Sequence, residues 1–220
     1  MEKNHVFITG GTGYIGRRLI RILLTDGFPV TALVRQQSVG KLPPGCSPDV
    51  ADPFDASSYA DAIPRGCTFI HLLGVSHPGP KKKQLFFSID LASLKASVEA
   101  AKQAGVSHFV YVSVAKYPTK IMGDYQEARR QGEEAVLASG LKSTFIRPWY
   151  VVGPGHYWPL LFNPVFKLFE LIPSTAVQAK SLALVSLKQM LAALRKVVET
   201  GPPALNRVIE IKDIKNINSW

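Results

Sequence analysis

Val6-Phe7-Ile8-Thr9-Gly10-Gly11-Thr12-Gly13-Tyr14-Ile15-Gly16-Arg17-Arg18 opens on an apolar run, passes through a glycine cluster and enters a helical pattern. In that pattern Ile15, Leu19, Ile20, Leu23 and Leu24 share one side. The order is strand, tight turn, helix. A helix N-terminus presents unpaired N–H groups and a partial positive charge, so a phosphate settles there when the backbone admits it. Gly10 permits the turn, Gly13 removes the side chain that would block a pyrophosphate, and Gly16 lets the helix pack closely on its strand. Thr12, Tyr14 and Ile15 belong to the same turn and are expected to contact the same ligand. A glycine cluster alone marks only a turn; after a strand and before a helix it is read as a dinucleotide site.

Moving outward, Gly27 stops the first helix, and Val30-Thr31-Ala32-Leu33-Val34-Arg35 reads as a second strand. The unit is βαβ, parallel and right-handed. A ribose is expected at the end of its second strand, where an acid binds the 2′-hydroxyl of NAD and an arginine accommodates the 2′-phosphate of NADP. The residue there is Arg35, followed by Gln36, and no acid competes. NADP(H) is therefore favoured over NAD(H), with Arg17 or Arg18 as a second contact; the plain alternative is an exposed loop arginine.

The alternation continues. Residues 37–48 read as a loop, 49–52 as a weak strand, 57–63 as a short helix and 68–73 as a firm interior strand, in which His71 is a packed core histidine rather than a ligand. A loop over 74–80 leads through Lys81-Lys82-Lys83 to a helix over 85–104. A strand over 109–113, a helix over 123–139 and a strand over 143–147 follow. This pattern predicts an α/β doubly wound parallel sheet of the Rossmann type, with helices on both faces. The expected division is a nucleotide-binding domain over 1–150 and a small C-terminal substrate or interaction lobe over 151–220, packed as one compact unit. Within that lobe 158–172 is apolar around most of a helix. It needs a second apolar surface, in a substrate pocket, a second copy, a partner protein or a membrane interface. An amphipathic helix over 187–199 and a strand over 207–211 close the chain.

Composition narrows the classes. Of the 220 residues 46% are hydrophobic and 19% charged, values of a folded globular chain. No run of about 18 apolar residues exists. Strand residues begin almost at Met1, so no signal peptide is expected, and Cys46 and Cys67 have neither metal nor redox spacing; a cytoplasmic protein without a metal site is expected. The formal net charge is +10, yet no basic stripe interleaved with aromatics is present, so no nucleic-acid partner is expected. A solvated basic surface, or help in holding an anionic cofactor, accounts for the charge. Peripheral membrane contact through 158–172 and the three lysines is a weaker expectation.

Several motifs extend the reading: Thr9-Gly10-Gly11-Thr12-Gly13-Tyr14-Ile15-Gly16, Asp52 after the third strand, His71-Leu72-Leu73-Gly74, Val110-Tyr111-Val112-Ser113, Ser139-Gly140-Leu141, Arg147-Pro148 and Gly153-Pro154-Gly155. Together they resemble the atypical and extended short-chain dehydrogenase/reductases, an NAD(P)-binding epimerase/dehydratase-like group that includes NmrA-like proteins. The resemblance implies that Asp52 lies near the adenine, that Leu72, Leu73 and Gly74 line the ribose side, and that Pro148, Tyr150 and Val151 border the nicotinamide.

It also implies an active site made of a serine at the end of the fifth strand and a Tyr-x-x-x-Lys on the next helix. Ser113 matches the serine and Tyr125 the tyrosine, but four residues on stands Arg129 instead of lysine. A phenol of ordinary pKa near 10 is a poor base at neutral pH and draws on a neighbouring cation. Arginine supplies charge at the same helical spacing, but does not readily give up a proton. Tyr117 with Lys120, and Tyr14 with Arg18, offer no cleaner pair. His156, Tyr157 and Trp158 either line a substrate site or pack the C-terminal lobe. Two functions stay open: an NADP(H)-dependent oxidoreductase or epimerase-like enzyme on a small apolar carbonyl or hydroxyl compound, with Tyr125, Ser113 and Arg129 as catalytic residues, or a non-catalytic NADP(H) redox sensor or assembly protein.

Overall fold

In a computed structural model, residues 3–76, 78–116, 122–157 and 184–217 are described. Seven parallel strands form the main sheet: β1 (Val6–Thr9), β2 (Val30–Val34), β3 (Ser47–Val50), β4 (Thr68–His71), β5 (His108–Val112), β6 (Ser143–Ile146) and β9 (Arg207–Ile209). Their order is β3-β2-β1-β4-β5-β6-β9. A short parallel pair, β7 (Val151–Val152) and β8 (Val185–Ser186), stands apart from it. Among the described residues the helices are α1 (Gly16–Thr25), α2 (Lys83–Leu85), α3 (Ala92–Ala104), α4 (Gly123–Ala138), α5 (Leu187–Thr200) and α6 (Ile211–Lys215).

Period-two alternation in buried strands sends successive side chains to two separate cores. Val6, Ile8, Ile70 and Val110 face α1 and α5, meeting Leu19, Leu23, Met190 and Leu194. Phe7, Phe69 and Phe109 face the other way toward α3 and α4. There they stack across β1, β4 and β5 with ring centroids 5.2 and 5.1 Å apart. The expected doubly wound Rossmann sheet is thus present, with helices on both faces. After 184 the chain returns to it: α5 packs on α1, Arg195 reaches Asp26 at 2.8 Å, and β9 extends the sheet beside β6.

Local differences from the sequence reading have local causes. The expected helix over 57–63 is two single 3-10 turns, Ala56–Ser58 and Ala60–Ala62, the first capped by Asp55, which accepts from the Ser57 N–H at 3.0 Å. The expected loop over 37–48 holds a 3-10 helix, Gln36–Lys41, and β3 begins earlier, at Ser47. The expected helix over 85–104 is a turn of α-helix, a π-helical stretch, Phe86–Leu91, and then α3, which Gly105 ends with φ of +66°. The expected last strand stops at Ile209, because Glu210 and Asp213 form a reciprocal cap that starts α6.

Two core histidines stay uncharged. His71 is fully buried with Nδ1 at 3.0 Å from Thr9 Oγ1 and 3.1 Å from Ser97 Oγ, as the core reading expected. Burial, and then the Arg129 charge, push its pKa down to about 3. His108, bonded through Nε2 to Thr144 Oγ1 at 2.8 Å, is pushed by burial, and then by Arg207, down to about 4. Unfolded histidines take up protons near the ordinary value of about 6.5, so between there and the folded values the unfolded state holds more protons. Stability is complete above that range and falls as pH drops through it, by about 1.4 kcal/mol per pH unit for each histidine. The melting temperature at pH 5 is expected several degrees below that at pH 7; a level melting temperature over this interval contradicts the account.

Candidate active site

β1 and β4 are neighbours in the sheet but not in sequence, because the chain builds β2 and β3 to one side and resumes at β4 on the other. Such a switch point leaves a crevice beyond the C-terminal strand ends, where open α/β sheets bind ligands. Gly10 follows β1 and Leu72, Leu73 and Gly74 follow β4, and all four line a cavity of about 480 Å³. Gly10 has φ of +74°, and a Cβ there would lie 2.6 Å from the Leu72 carbonyl carbon and 2.7 Å from the Leu73 nitrogen. A Cβ on Gly16 would strike the Gly10 carbonyl oxygen. Gly13 is exposed on the cavity wall beside half-buried Thr12. α1 starts after Ile15 with no side-chain cap and no acid in its first turn; its Arg17 and Arg18 N–H groups donate to the Gly13 and Ile15 carbonyls at 3.2 and 3.1 Å, and the positive end of the helix dipole stays open to an anion. The glycine cradle and the helix end suit a dinucleotide pyrophosphate in this cavity.

Arg35 ends the second strand region on the cavity lip, exposed, and its guanidinium has no partner among the described residues. Arg17 is exposed, whereas Arg18 is engaged: its Nη1 donates to the Tyr14 carbonyl at 2.8 Å and the guanidinium lies 4.6 Å from the Tyr14 ring centroid. Asp52 turns its carboxylate back to accept the Phe54 N–H at 2.9 Å. Its neighbours Pro53 and Phe54 reach the cavity, with Phe54 48% exposed, a large apolar surface open to the cleft. Phe54, Ser38 and Ile89 were not anticipated as cavity residues. Only the aromatic following Asp52-Pro53 carried a signal.

Ser113 and Tyr125 belong to a second region. Ser113 follows β5, its N–H donates to the Ile146 carbonyl at 2.8 Å, and its buried Oγ has no partner among the described residues. Tyr125, in the first turn of α4 and half-buried, lines a narrow apolar slot with Val114, Met122, Trp149 and Tyr150. Its ring packs edge-on against Phe86 at 5.0 Å. Burial, and then Tyr125, raise the Tyr150 pKa. Pro148 is buried and its carbonyl accepts the Ala115 N–H at 3.0 Å; Val151 pairs with Val185 in the β7–β8 pair.

Arg129 is buried and heavily engaged. Its Nη2 lies 2.9 Å from Asp90 Oδ2, and its Nη1 donates to the Val112 carbonyl at 3.0 Å and the Tyr111 hydroxyl at 3.3 Å. The guanidinium carbon sits 5.1 Å from the Tyr125 ring centroid. Burial raises the Asp90 carboxyl, and the Arg129 charge with the Val75 N–H, 2.7 Å from Oδ1, works against that rise. Arg147 makes a separate network, pairing with Glu133 at 2.6 Å and Glu210 at 2.8 Å, and ties α4 to β6 and α6.

Tyr14 faces the stretch after β7: its ring centroid is 5.1 Å from that of His156, and its hydroxyl is buried without a partner among the described residues. Tyr157 is 56% exposed. Lys82 donates to the Ser76 carbonyl at 2.6 Å and Lys83 pairs with Asp124 at 3.0 Å, so two of the three clustered lysines hold local structure. Among the described residues no cluster suits a metal ion, and no helix is long and apolar enough to cross a membrane. Tyr117, Lys120, Trp158 and the apolar segment 158–172 lie outside the described residues.

A family model described as NAD(P)H-binding matches residues 10–154. The chain is 28% identical over 217 residues to a ceramide reductase of Caulobacter vibrioides, covering 96% of this chain and 65% of that protein. It is 27% identical over 192 residues to a 3-beta-hydroxysteroid dehydrogenase of Mycolicibacterium neoaurum, covering 76% of this chain and 52% of that protein. It therefore spans less than two thirds of either relative. Among solved structures, the Bordetella bronchiseptica enzyme WbmH in complex with NAD+ superposes with a TM-score of 0.68 at 18% identity, over 95% of this chain and 75% of that one.

Proposed function

Since the chain belongs to the NAD(P)H-binding family and carries the Rossmann fold of the extended short-chain dehydrogenase/reductases, we propose that it is an NADP(H)-dependent oxidoreductase acting on an apolar carbonyl or hydroxyl compound. One observation carries this reading: the Ser113 Oγ, buried without a partner among the described residues and next in sequence to Val114, which lines the slot together with Tyr125. Leaving a buried hydroxyl unsatisfied costs about 1–3 kcal/mol, and a substrate oxygen placed there recovers it.

The bound cofactor supplies the hydride chemistry. The chain supplies the rest. Gly10, Thr12, Gly13, Tyr14, Ile15 and Gly16 receive the pyrophosphate on the α1 N-terminus, Leu72 to Gly74 form the facing wall, and Asp52 with Phe54 borders the adenine. Pro148, Tyr150 and Val151 border the nicotinamide. Ser113 holds the substrate oxygen and the Tyr125 hydroxyl gives it a proton in the reductive direction. The names of the two relatives, a reductase of ceramide and a dehydrogenase of 3-beta-hydroxysteroids, support a lipid-like substrate. The stretch over 151–157 is assigned to the substrate side.

The NADP(H) assignment rests on Arg35, free on the cavity lip where no carboxylate competes. Hydrogen bonds to charged groups contribute about 1.5–3 kcal/mol, so Arg35→Ala is expected to weaken NADPH binding by about 10- to 100-fold while leaving NADH within about twofold. An unchanged NADPH-to-NADH affinity ratio, measured by cofactor fluorescence, refutes the assignment.

Arg129, committed to Asp90, favours a second reading, a protein that holds NADP(H) without turnover. Incubation of the purified protein with NADPH and a panel of sphingoid and steroid ketones separates the two. NADPH consumption supports the oxidoreductase; tight binding with no consumption across the panel supports the holding function.

A further inference from the structure

The π-helical stretch Phe86–Leu91 carries two residues that border the cofactor cavity and its wall. Ile89 lines the cofactor cavity, and Asp90, 1% exposed, meets two groups from different elements. Asp90 Oδ1 accepts the Val75 N–H at 2.7 Å and Oδ2 accepts from Arg129 at 2.9 Å. Extra residues of this kind inside helices recur at functional sites. Arg129 in turn touches β5 twice, at the Val112 carbonyl and the Tyr111 hydroxyl, and meets the Tyr125 ring one turn earlier on its own helix, α4. It also stands directly behind the cavity wall. Gly74 lines the cavity, and a Cβ on it would lie 2.7 Å from Arg129 Nη2 and 3.4 Å from Asp90 Oδ2. One ion pair thus joins the cofactor wall, the strand that carries Ser113 and the helix that carries Tyr125.

From this arrangement we infer that Asp90 and Arg129 are positioning residues: they set the Gly74–Val75 wall against the bound cofactor and hold Tyr125 at a fixed distance from it, and they take no part in proton transfer. The chemistry agrees with placement. Both terminal nitrogens of Arg129 are engaged, its planar fork suits a carboxylate and a carbonyl held in fixed directions, and a guanidinium holds its protons throughout the accessible pH range. A buried pair of this kind also resists loss of either partner, since the other charge would remain buried and uncompensated. The role of Tyr125 in this inference rests on the oxidoreductase reading; the role of the wall does not.

Gly74 supplies the test, because the guanidinium fills the space behind it and leaves no room for a Cβ. Gly74→Ala is expected to weaken NADPH binding by about tenfold, since the methyl must push against a side chain locked by charge. In an Arg129→Lys background, where the slimmer ammonium keeps the pair with Asp90 and leaves room for the methyl, the same change is expected to cost less than about threefold. Both are read by NADPH fluorescence titration without substrate, beside melting curves that establish folding. Equal penalties in the two backgrounds overturn the wall assignment. For Tyr125, the pH–rate profile of Arg129→Lys is expected to keep its wild-type shape while kcat falls; a displaced limb would make Arg129 part of the proton path and overturn the inference. A wild type that binds NADPH without turnover refutes the oxidoreductase reading and leaves the titration as the deciding arm.

Discussion

Tyr125→Phe is expected to lower NADPH-dependent carbonyl reduction by about 10²- to 10⁴-fold, the range in which a positioned proton donor contributes. The variant removes one oxygen and little else. The ring still packs edge-on against Phe86 at 5.0 Å and lies 5.1 Å from the Arg129 guanidinium, so α4 keeps its seat and the slot keeps its shape. NADPH affinity is expected to stay within about twofold, because no cofactor-cavity residue is altered. The loss then falls on kcat, the signature of an interaction made in the transition state. Turnover unchanged in Tyr125→Phe, on a substrate the wild type reduces, removes the tyrosine from the mechanism.

The parts of the molecule legible in the sequence are those governed by local patterns. The glycine turn and the alternation of strands and helices follow from positions a few residues apart, whereas the switch point, which brings Gly10 and Gly74 to the same cavity, comes from the strand order. The reading of His71 as core also held, because a histidine inside a continuous apolar strand has nowhere else to go. Arg35 was placed by the same logic, at the end of a strand whose function is fixed by topology.

What the sequence hid depends on contacts between distant positions. Arg129 stands four residues after Tyr125, a spacing that suggests a local pair, yet it also forms an ion pair with Asp90, 39 residues earlier in the chain. Nothing in the pattern around Asp90 announces the π-helical stretch that turns it inward, since apolar periodicity reports which face is buried and is silent on a single inserted residue. Phe54 was missed for a related reason: a short turn has no periodicity, and its ring becomes a cavity surface only because β2 and β3 end side by side. The alternating run 207–211 predicts a strand through Ile211, whereas the Glu210–Asp213 cap ends the strand at Ile209 and starts α6.

The largest combined loss of binding and stability is expected from Gly10→Ala. Two independent penalties meet at this position. The backbone φ of +74° lies in the left-handed region, which costs a residue with a Cβ about 1–2 kcal/mol. The added methyl would also sit 2.6 to 2.8 Å from the Leu72 carbonyl group and the Leu73 nitrogen, and these are main-chain atoms of the adjacent strand end that no rotamer change can move aside. β1 and β4 are paired in register through Thr9 and His71, and the Leu72 N–H donates to the Thr9 carbonyl at 3.1 Å, so relief requires the two strand ends to separate. Separation at that point displaces the turn whose N–H groups face the phosphate. Loss of even one hydrogen bond to a charged group costs about 1.5–3 kcal/mol, so NADPH affinity is expected to fall by about 10²-fold or more. The melting temperature is expected to drop by about 5–10 °C for a chain of this size. Gly27→Ala is the control: its φ of +83° carries the same backbone penalty, but no atom lies within 4 Å of the added methyl and the position is remote from the cavity. It is expected to lower stability while leaving NADPH affinity intact. If Gly10→Ala loses no more affinity than Gly27→Ala, the cofactor does not rest on this turn.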